Sequence, residues 1–186
     1  YVCVNSGYYH TFVPDILREI IELYHPDGFA DNNWKGLDRR TICYCENCRN
    51  GFFAYSGKAL PEVANWSDAS YGDWVRWNYR IRLEIWDRFN AVTQAAGGED
   101  CLWCGMLNAD VVERAQRFVD LKAVLKRSKI IFSDQQGRSQ YGFEENGISG
   151  TMLRLASDEN MLVPESMANY TRGRRTFRLS ANPPLE

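Results

Sequence analysis

The sequence predicts an α/β protein, and specifically part of a (β/α)8 TIM-type barrel. Apolar segments suited to strands alternate with segments whose apolar residues recur at helical spacing, and most of the predicted strands end in a polar residue. Alternating strands and helices favour a parallel sheet with right-handed crossovers, and the strand ends of a barrel surround one mouth. Because a complete barrel takes about 250 residues, this chain is expected to hold about strands three to seven.

The predicted elements follow one another along the whole chain. Strands are expected at residues 1–5, 27–31, 101–108, 129–134 and 160–165. Helices are expected at residues 14–24, 71–96 and 111–127, the last in one or two pieces, with a short one near 151–156. Pro14 and Asp15 suit the first turn of a helix, and Gly97 suits a helix end. No Gly-rich phosphate loop follows a strand, which argues against a dinucleotide-binding domain.

A single domain is expected to span residues 1–186, with a cysteine-rich insertion at 32–70. A loop of that length is unusual unless it is functional or cross-linked. Three of the six cysteines lie in it as a C-x-C-x-x-C group: Cys43, Cys45 and Cys48. The insertion is therefore the predicted location of a metal site.

Three thiolates this close repel one another unless a cation binds them. Structural Zn²⁺ sites prefer four tetrahedral ligands, above all thiolates. Cys3 is the predicted fourth ligand, whereas Cys101 and Cys104 are disfavoured because an odd offset on a strand sends them to opposite faces. The sequence thus predicts a structural zinc, with a set of free buried thiols as the alternative.

Composition limits the other partners. A net charge of −2 and a pI near 5.8 argue against a nucleic-acid surface. No apolar run approaches the ~20 residues of a membrane span, so no membrane contact is expected. The aromatic content of 13% suits either a packed core or a carbohydrate ligand. A homo-oligomer is compatible with the sequence, and the compartment stays open between cytoplasm and export.

Several segments occur in the order found in a known family. They are Tyr1-Val-Cys3-Val-Asn-Ser-Gly-Tyr-Tyr9, Gly28-Phe-Ala-Asp-Asn-Asn33 and Cys43-Tyr-Cys-Glu-Asn-Cys48. Through them, residues 1–60 resemble the beta-galactosidases of glycoside hydrolase family 42, which are (β/α)-barrels with a zinc held by an early cysteine and a C-x-C-x-x-C group. Nearly the whole chain resembles a group of hypothetical glycoside hydrolases related to them, also through residues 132–138 and 165–170. The resemblance implies a glycosidase with a carbohydrate substrate.

One position departs from the galactosidase pattern. There the fourth strand ends in Asn-Glu, and the Glu is the general acid/base, whereas this chain has Asn32-Asn33. An amide cannot donate a proton at neutral pH. The acid must therefore come from another carboxyl group, or the chemistry is lost.

Glycoside hydrolysis usually needs two carboxyl groups. The predicted catalytic residues stand at strand ends: Asp31, Asp134 and Glu165. Asp31 ranks first because strand alternation places it on the face of Asn33, and related barrels that act on alpha-linked sugars have a nucleophilic Asp at a similar position. Glu165 lies where the galactosidases keep their nucleophile, and Asp110 reads better as a helix N-cap. The structural alternatives are a loop anchor for Asp31, a turn residue for Asp134 and an arginine partner for Glu165.

Predicted substrate-binding residues flank these carboxylates: Asn32, Asn33, Trp34, Arg138 and Tyr141. Arg138 would bind a substrate oxygen or pair with Asp134, and the two aromatic rings would stack on a sugar or pack in the core. Two other functions stay open. One is a catalytically silent carbohydrate-binding barrel, which Asn33 favours, and the other is a structural domain of a larger assembly.

Overall fold

The structure, a computed structural model, describes residues 2–30, 38–108, 111–134 and 161–164, with side chains described at all of these except 106–108, 111–113, 132–134 and 161–164. A π-helical turn at Tyr8–Phe12 leads into five α-helices: α1 Val13–Tyr24, α2 Glu46–Ser56, α3 Tyr71–Gly97, α4 Val111–Gln116 and α5 Leu121–Leu125. The five strands are β1 Gly28–Ala30, β2 Leu102–Cys104, β3 Met106–Asn108, β4 Ile130–Asp134 and β5 Met161–Pro164.

The described part of the chain is mostly helical, and the predicted (β/α)8 barrel is wrong. Its strands form two small sheets, one of β1 and β2 and one with the order β3-β4-β5. All three pairings are parallel, as the alternation of strands and helices predicted. The alternation of strands and helices predicts parallel pairing, but it does not predict that the sheet closes into a barrel. Closure also requires that the strands continue from edge to edge around one sheet. Here the predicted strand at 101–108 is divided at Gly105 into β2 and β3, which pair in different sheets.

The predicted strand at residues 1–5 is also wrong. Residues 4–6 form a turn, in which both the backbone N–H and the hydroxyl of Ser6 donate to the carbonyl oxygen of Cys3, at 3.0 and 2.6 Å. Asn, Ser and Gly favour turns because their side chains bond to nearby backbone or because they tolerate unusual dihedral angles. The turn preference of Asn5-Ser6-Gly7 therefore outweighs the strand preference of the apolar residues before it. As a result, Cys3 lies next to a turn.

Helix α3 is the centre of the hydrophobic core. Its buried residues recur at spacings of three and four, as in Trp74, Trp77, Ile81 and Ile85. Leu17 of α1 belongs to the same core cluster. These two helices confirm the predictions at 71–96 and 14–24, with shifts of a residue at their ends.

The predicted helix at 111–127 consists of two pieces. Phe118 lies between them with a positive φ of 59° and is only 1% exposed. Its ring contacts the rings of Trp74 and Tyr79 edge-on, at centroid distances of 5.3 and 5.8 Å. Asp120 then begins α5 as its N-cap and accepts a hydrogen bond from the backbone N–H of Ala123 at 3.1 Å.

The predicted insertion at 32–70 contains α2, which the sequence analysis did not predict. Beyond α2, the loop at 57–70 is held by Asp68, whose carboxylate accepts from the backbone N–H groups of Glu62 and Ser70 at 2.8 and 2.7 Å. The Tyr44 hydroxyl also donates to the Pro61 carbonyl at 2.7 Å. The helix predicted near 151–156 lies outside the described residues. None of the described helices is long and apolar enough to cross a membrane.

Gly105 allows the backbone between β2 and β3 to pass directly against the indole of Trp86. A Cβ atom at this position would overlap the Trp86 ring. We therefore expect Gly105→Ala to lower the free energy of unfolding by about 1–3 kcal/mol, as overpacking in cores does. Chemical denaturation measures this. The control is Gly7→Ala, where no atom lies within 4 Å of the added Cβ; equal effects of the two changes would contradict the packing argument.

Candidate metal centre

Four cysteines from two parts of the chain converge on one point. The sulfur atoms of Cys3, Cys43, Cys45 and Cys48 all lie within 4.8 Å of one another. Cys3 Sγ is 3.3 Å from Cys48 Sγ and 3.5 Å from Cys45 Sγ. The four thiols could therefore hold a metal ion, and the predicted convergence of Cys3 with the C-x-C-x-x-C group is confirmed.

Helix α2 places two of these sulfurs. Cys45 is its N-cap, with extended backbone (φ −64°, ψ 162°), and Cys48 lies in its first turn, 3% exposed. One turn further, the fully buried ring of Phe52 packs on Trp77 of α3, with centroids 5.5 Å apart. A Cβ at Gly51 would lie 3.0 Å from the same indole, so α2 approaches α3 closely. The packing of α2 on α3 thus fixes where Cys48 points.

Asn5 contacts the cysteine cluster and was not among the residues predicted from the sequence. Its backbone N–H donates to Cys3 Sγ at 3.4 Å, and its side-chain amide donates to Cys48 Sγ at 3.3 Å. The partial positive charge at the N-terminus of α2 acts on the same sulfurs. Donors of this kind stabilise thiolate charge and orient metal ligands. The one feature of the sequence that could have indicated this contact is an amide side chain two positions after a cysteine of the cluster.

The thiol pKa values differ within the cluster. The hydrogen bond with Cys48 lowers the pKa of Cys3 to about 5, against the opposing effect of burial and with help from the Asn5 backbone N–H. The same hydrogen bond to Cys3, together with burial, raises the pKa of Cys48. Burial raises the pKa of Cys43. The two shifts have opposite directions, so within this pair the negative charge is favoured on Cys3 and the proton on Cys48.

Cys101 and Cys104, disfavoured as ligands from the sequence, are outside the cluster. Both are buried, and Cys101 Sγ donates to the Pro26 carbonyl at 3.5 Å. Burial raises the pKa of each thiol, and for Cys101 the nearby Asp27 adds to the effect. They are neutral thiols that pack near the ends of β2.

Most of the predicted carbohydrate site lies outside the described residues. This holds for Asp31, Asn32, Asn33, Trp34, Arg138, Tyr141 and Glu165, and for Asp110 as well. Asp134 is the last residue of β4, and its backbone pairs in register with Asn108, the last residue of β3. The parallel register thus brings two polar strand ends to one sheet edge.

Comparison with protein families, with curated proteins and with solved structures finds no match to this chain.

The difference in thiol pKa values predicts selective alkylation. After chelation of any bound metal, a short pulse of iodoacetamide at about pH 6 should label Cys3 first, because the thiolate is the reactive form and the pKa of Cys3 is about 5. Peptide mass spectrometry measures the label at each position. Cys101 and Cys104 are the internal controls, and labelling that does not favour Cys3 would contradict the assigned thiolate.

Proposed function

We propose that the chain binds one Zn²⁺ ion through Cys3, Cys43, Cys45 and Cys48, and that this ion is structural. The observation that carries the proposal is the convergence of four sulfurs within 4.8 Å. Four thiolates complete a tetrahedral zinc shell and leave no open position for water or substrate, so such a site supports structure and not catalysis.

The chemistry of the donors favours zinc among the divalent metals. Thiolates are soft ligands, and a tetrahedral set of four sulfurs is typical of zinc or iron. Hard cations such as Mg²⁺ and Ca²⁺ take oxygen ligands. Asn5 supports a site with net negative charge, because both of its donors point at sulfur. Metal analysis of the purified full chain distinguishes zinc from iron.

The bound ion would stabilise the position of α2, which its own buried apolar residues stabilise only in part. The buried residues of α2 are Cys48 and Phe52. Cys3 lies beside a turn and is separated from Cys48 by 45 positions, so a bound ion closes a long loop. Metal binding that occurs only in the folded chain stabilises the fold by its full binding free energy.

Removal of the metal should therefore destabilise the protein. We expect a strong chelator to lower the melting temperature measured by calorimetry, and Cys45→Ser to lower metal content to a small fraction of one ion per chain, because a hydroxyl replaces a thiolate ligand. Cys104→Ser is the matched control, since that buried thiol lies outside the cluster. Equal metal content in the two variants would contradict the assigned ligand set.

Protons compete with the metal for these sulfurs. Ligand thiols must be deprotonated, and the raised pKa values of Cys43 and Cys48 mean that both give up protons when metal binds near neutral pH. We expect the apparent affinity for Zn²⁺ to fall steadily from about pH 8 to about pH 6 in competition with a chromophoric chelator. An affinity independent of pH over this range would contradict thiolate ligation.

A second candidate function is hydrolysis of a glycosidic bond by carboxylates at the strand ends. It rests on the resemblance to glycoside hydrolases and on the register that pairs Asp134 with Asn108 at the carboxyl ends of β4 and β3. Parallel sheets commonly bind ligands at that edge. The proposal needs no closed barrel, because the reaction requires two carboxyl groups beside the scissile bond and not a particular fold.

The glycosidase proposal is tested with aryl glycosides as substrates. If Asp31 and Asp134 act as acid/base and nucleophile, Asp31→Asn and Asp134→Asn should each reduce turnover by several orders of magnitude, with zinc content unchanged. Asp110→Asn is the control and should be mild. If Glu165→Gln is inactive and Asp31→Asn is active, the result favours the arrangement of the galactosidases. If the parent protein turns over no sugar substrate, the glycosidase proposal is contradicted and the silent sugar-binding alternative is favoured.

A further inference from the structure

Two sulfurs of the cysteine cluster are arranged for a covalent bond with each other. Cys3 Sγ and Cys48 Sγ are 3.3 Å apart. A disulfide bond is about 2.05 Å long, so closing this pair requires a shift of about 1 Å. Cys3 lies beside a turn, and a turn adjusts at lower cost than the α2 helix that carries Cys48.

Asn5 selects the same two sulfurs. One of its donors bonds to Cys3 and the other to Cys48, at 3.4 and 3.3 Å. This residue therefore holds the two sulfurs side by side and stabilises negative charge on each of them.

We propose that Cys3 and Cys48 form a reversible disulfide when a peroxide oxidises the cluster, and that this bond releases the metal. The release of metal rests on the proposed zinc site. The disulfide itself does not, because it follows from the positions of the two thiols.

The step balances with hydrogen peroxide as the two-electron oxidant. The half-buried Cys3 sulfur attacks one peroxide oxygen, the O–O bond breaks, and hydroxide leaves and takes up a proton to become water. The buried Cys48 sulfur then attacks the Cys3 sulfenic acid, the S–O bond breaks, and a second water leaves. In the metal-bound protein both sulfurs begin as thiolates, so the solvent supplies the two protons. Two thiolates lose two electrons in all, and one peroxide becomes two waters.

Loss of the metal follows from the ligand count. Disulfide sulfurs are not thiolates, and thiolates are the metal ligands. Two thiolates, Cys43 and Cys45, would remain where a structural zinc needs four ligands. A dithiol reductant reverses the bond and restores all four sulfurs.

The test uses the purified full chain with its metal bound. Hydrogen peroxide is added in the presence of a chromophoric chelator, free thiols are blocked with N-ethylmaleimide, and peptides are mapped without reduction. We expect the peptides containing Cys3 and Cys48 to be linked, with a mass loss of about 2 Da, one metal ion released for each disulfide, and recovery with dithiothreitol. A link between Cys45 and Cys48, or sulfinic acids without any link, would overturn the proposal.

A separate pair of variants tests whether Asn5 directs the disulfide to Cys3 and Cys48. Asn5→Ala should lower the share of the Cys3–Cys48 link among all disulfides formed, whereas Asn50→Ala, at an exposed position of α2, should leave it unchanged. Equal shares in both variants would overturn the role of Asn5. A protein that is purified without metal but still forms the Cys3–Cys48 link would refute the zinc proposal and support the disulfide.

Discussion

Burial of one face of α3 is the interaction on which the rest of the structure depends. The helix runs for 27 residues, and ten of its side chains are buried. Helices α1, α2 and α5 and strand β2 all contact it. Removal of apolar area from water is the dominant favourable term in folding. Among the described side chains, most members of the core cluster lie on helices, and Trp103 of β2 and Ile131 of β4 join them.

The cysteine cluster lies where the described chain has little regular structure. Near Cys3 the chain is turn and π-helix, and residues 38–45, before α2, form no helix or strand. Trp74, Trp77 and Asn78 of α3 line a small space together with Cys3 and Cys43. Helix α3 thus packs against Phe52 and also lies beside the cysteine sulfurs. A metal at this point would connect two sequence-distant segments through the surface of α3.

Features that depend on local patterns could be predicted from the sequence. Helices α1 and α3 have apolar residues at helical spacing, and parallel pairing follows from alternation. The dense spacing of Cys43, Cys45 and Cys48 predicted the cysteine cluster, with Cys3 as its fourth member. Features that depend on competition between distant segments could not be predicted. Helix α2 buries only Cys48 and Phe52, so it carries almost no periodic signal. Alternation also does not show where a predicted strand is divided, and the contact of Gly105 with Trp86 at the division between β2 and β3 is visible only in three dimensions.

The backbone at Phe118 makes the joint between α4 and α5 depend on helix α3. A non-glycine residue with positive φ carries a local cost of about 1–3 kcal/mol when its surroundings impose that conformation. Burial of the ring beside Trp74 and Tyr79, which both belong to α3, offsets this cost. A local hydrogen bond also holds the turn, since the Val119 N–H donates to the Arg114 carbonyl at 3.0 Å. A displacement of α3 would therefore expose the cost of the positive φ and loosen the joint between α4 and α5.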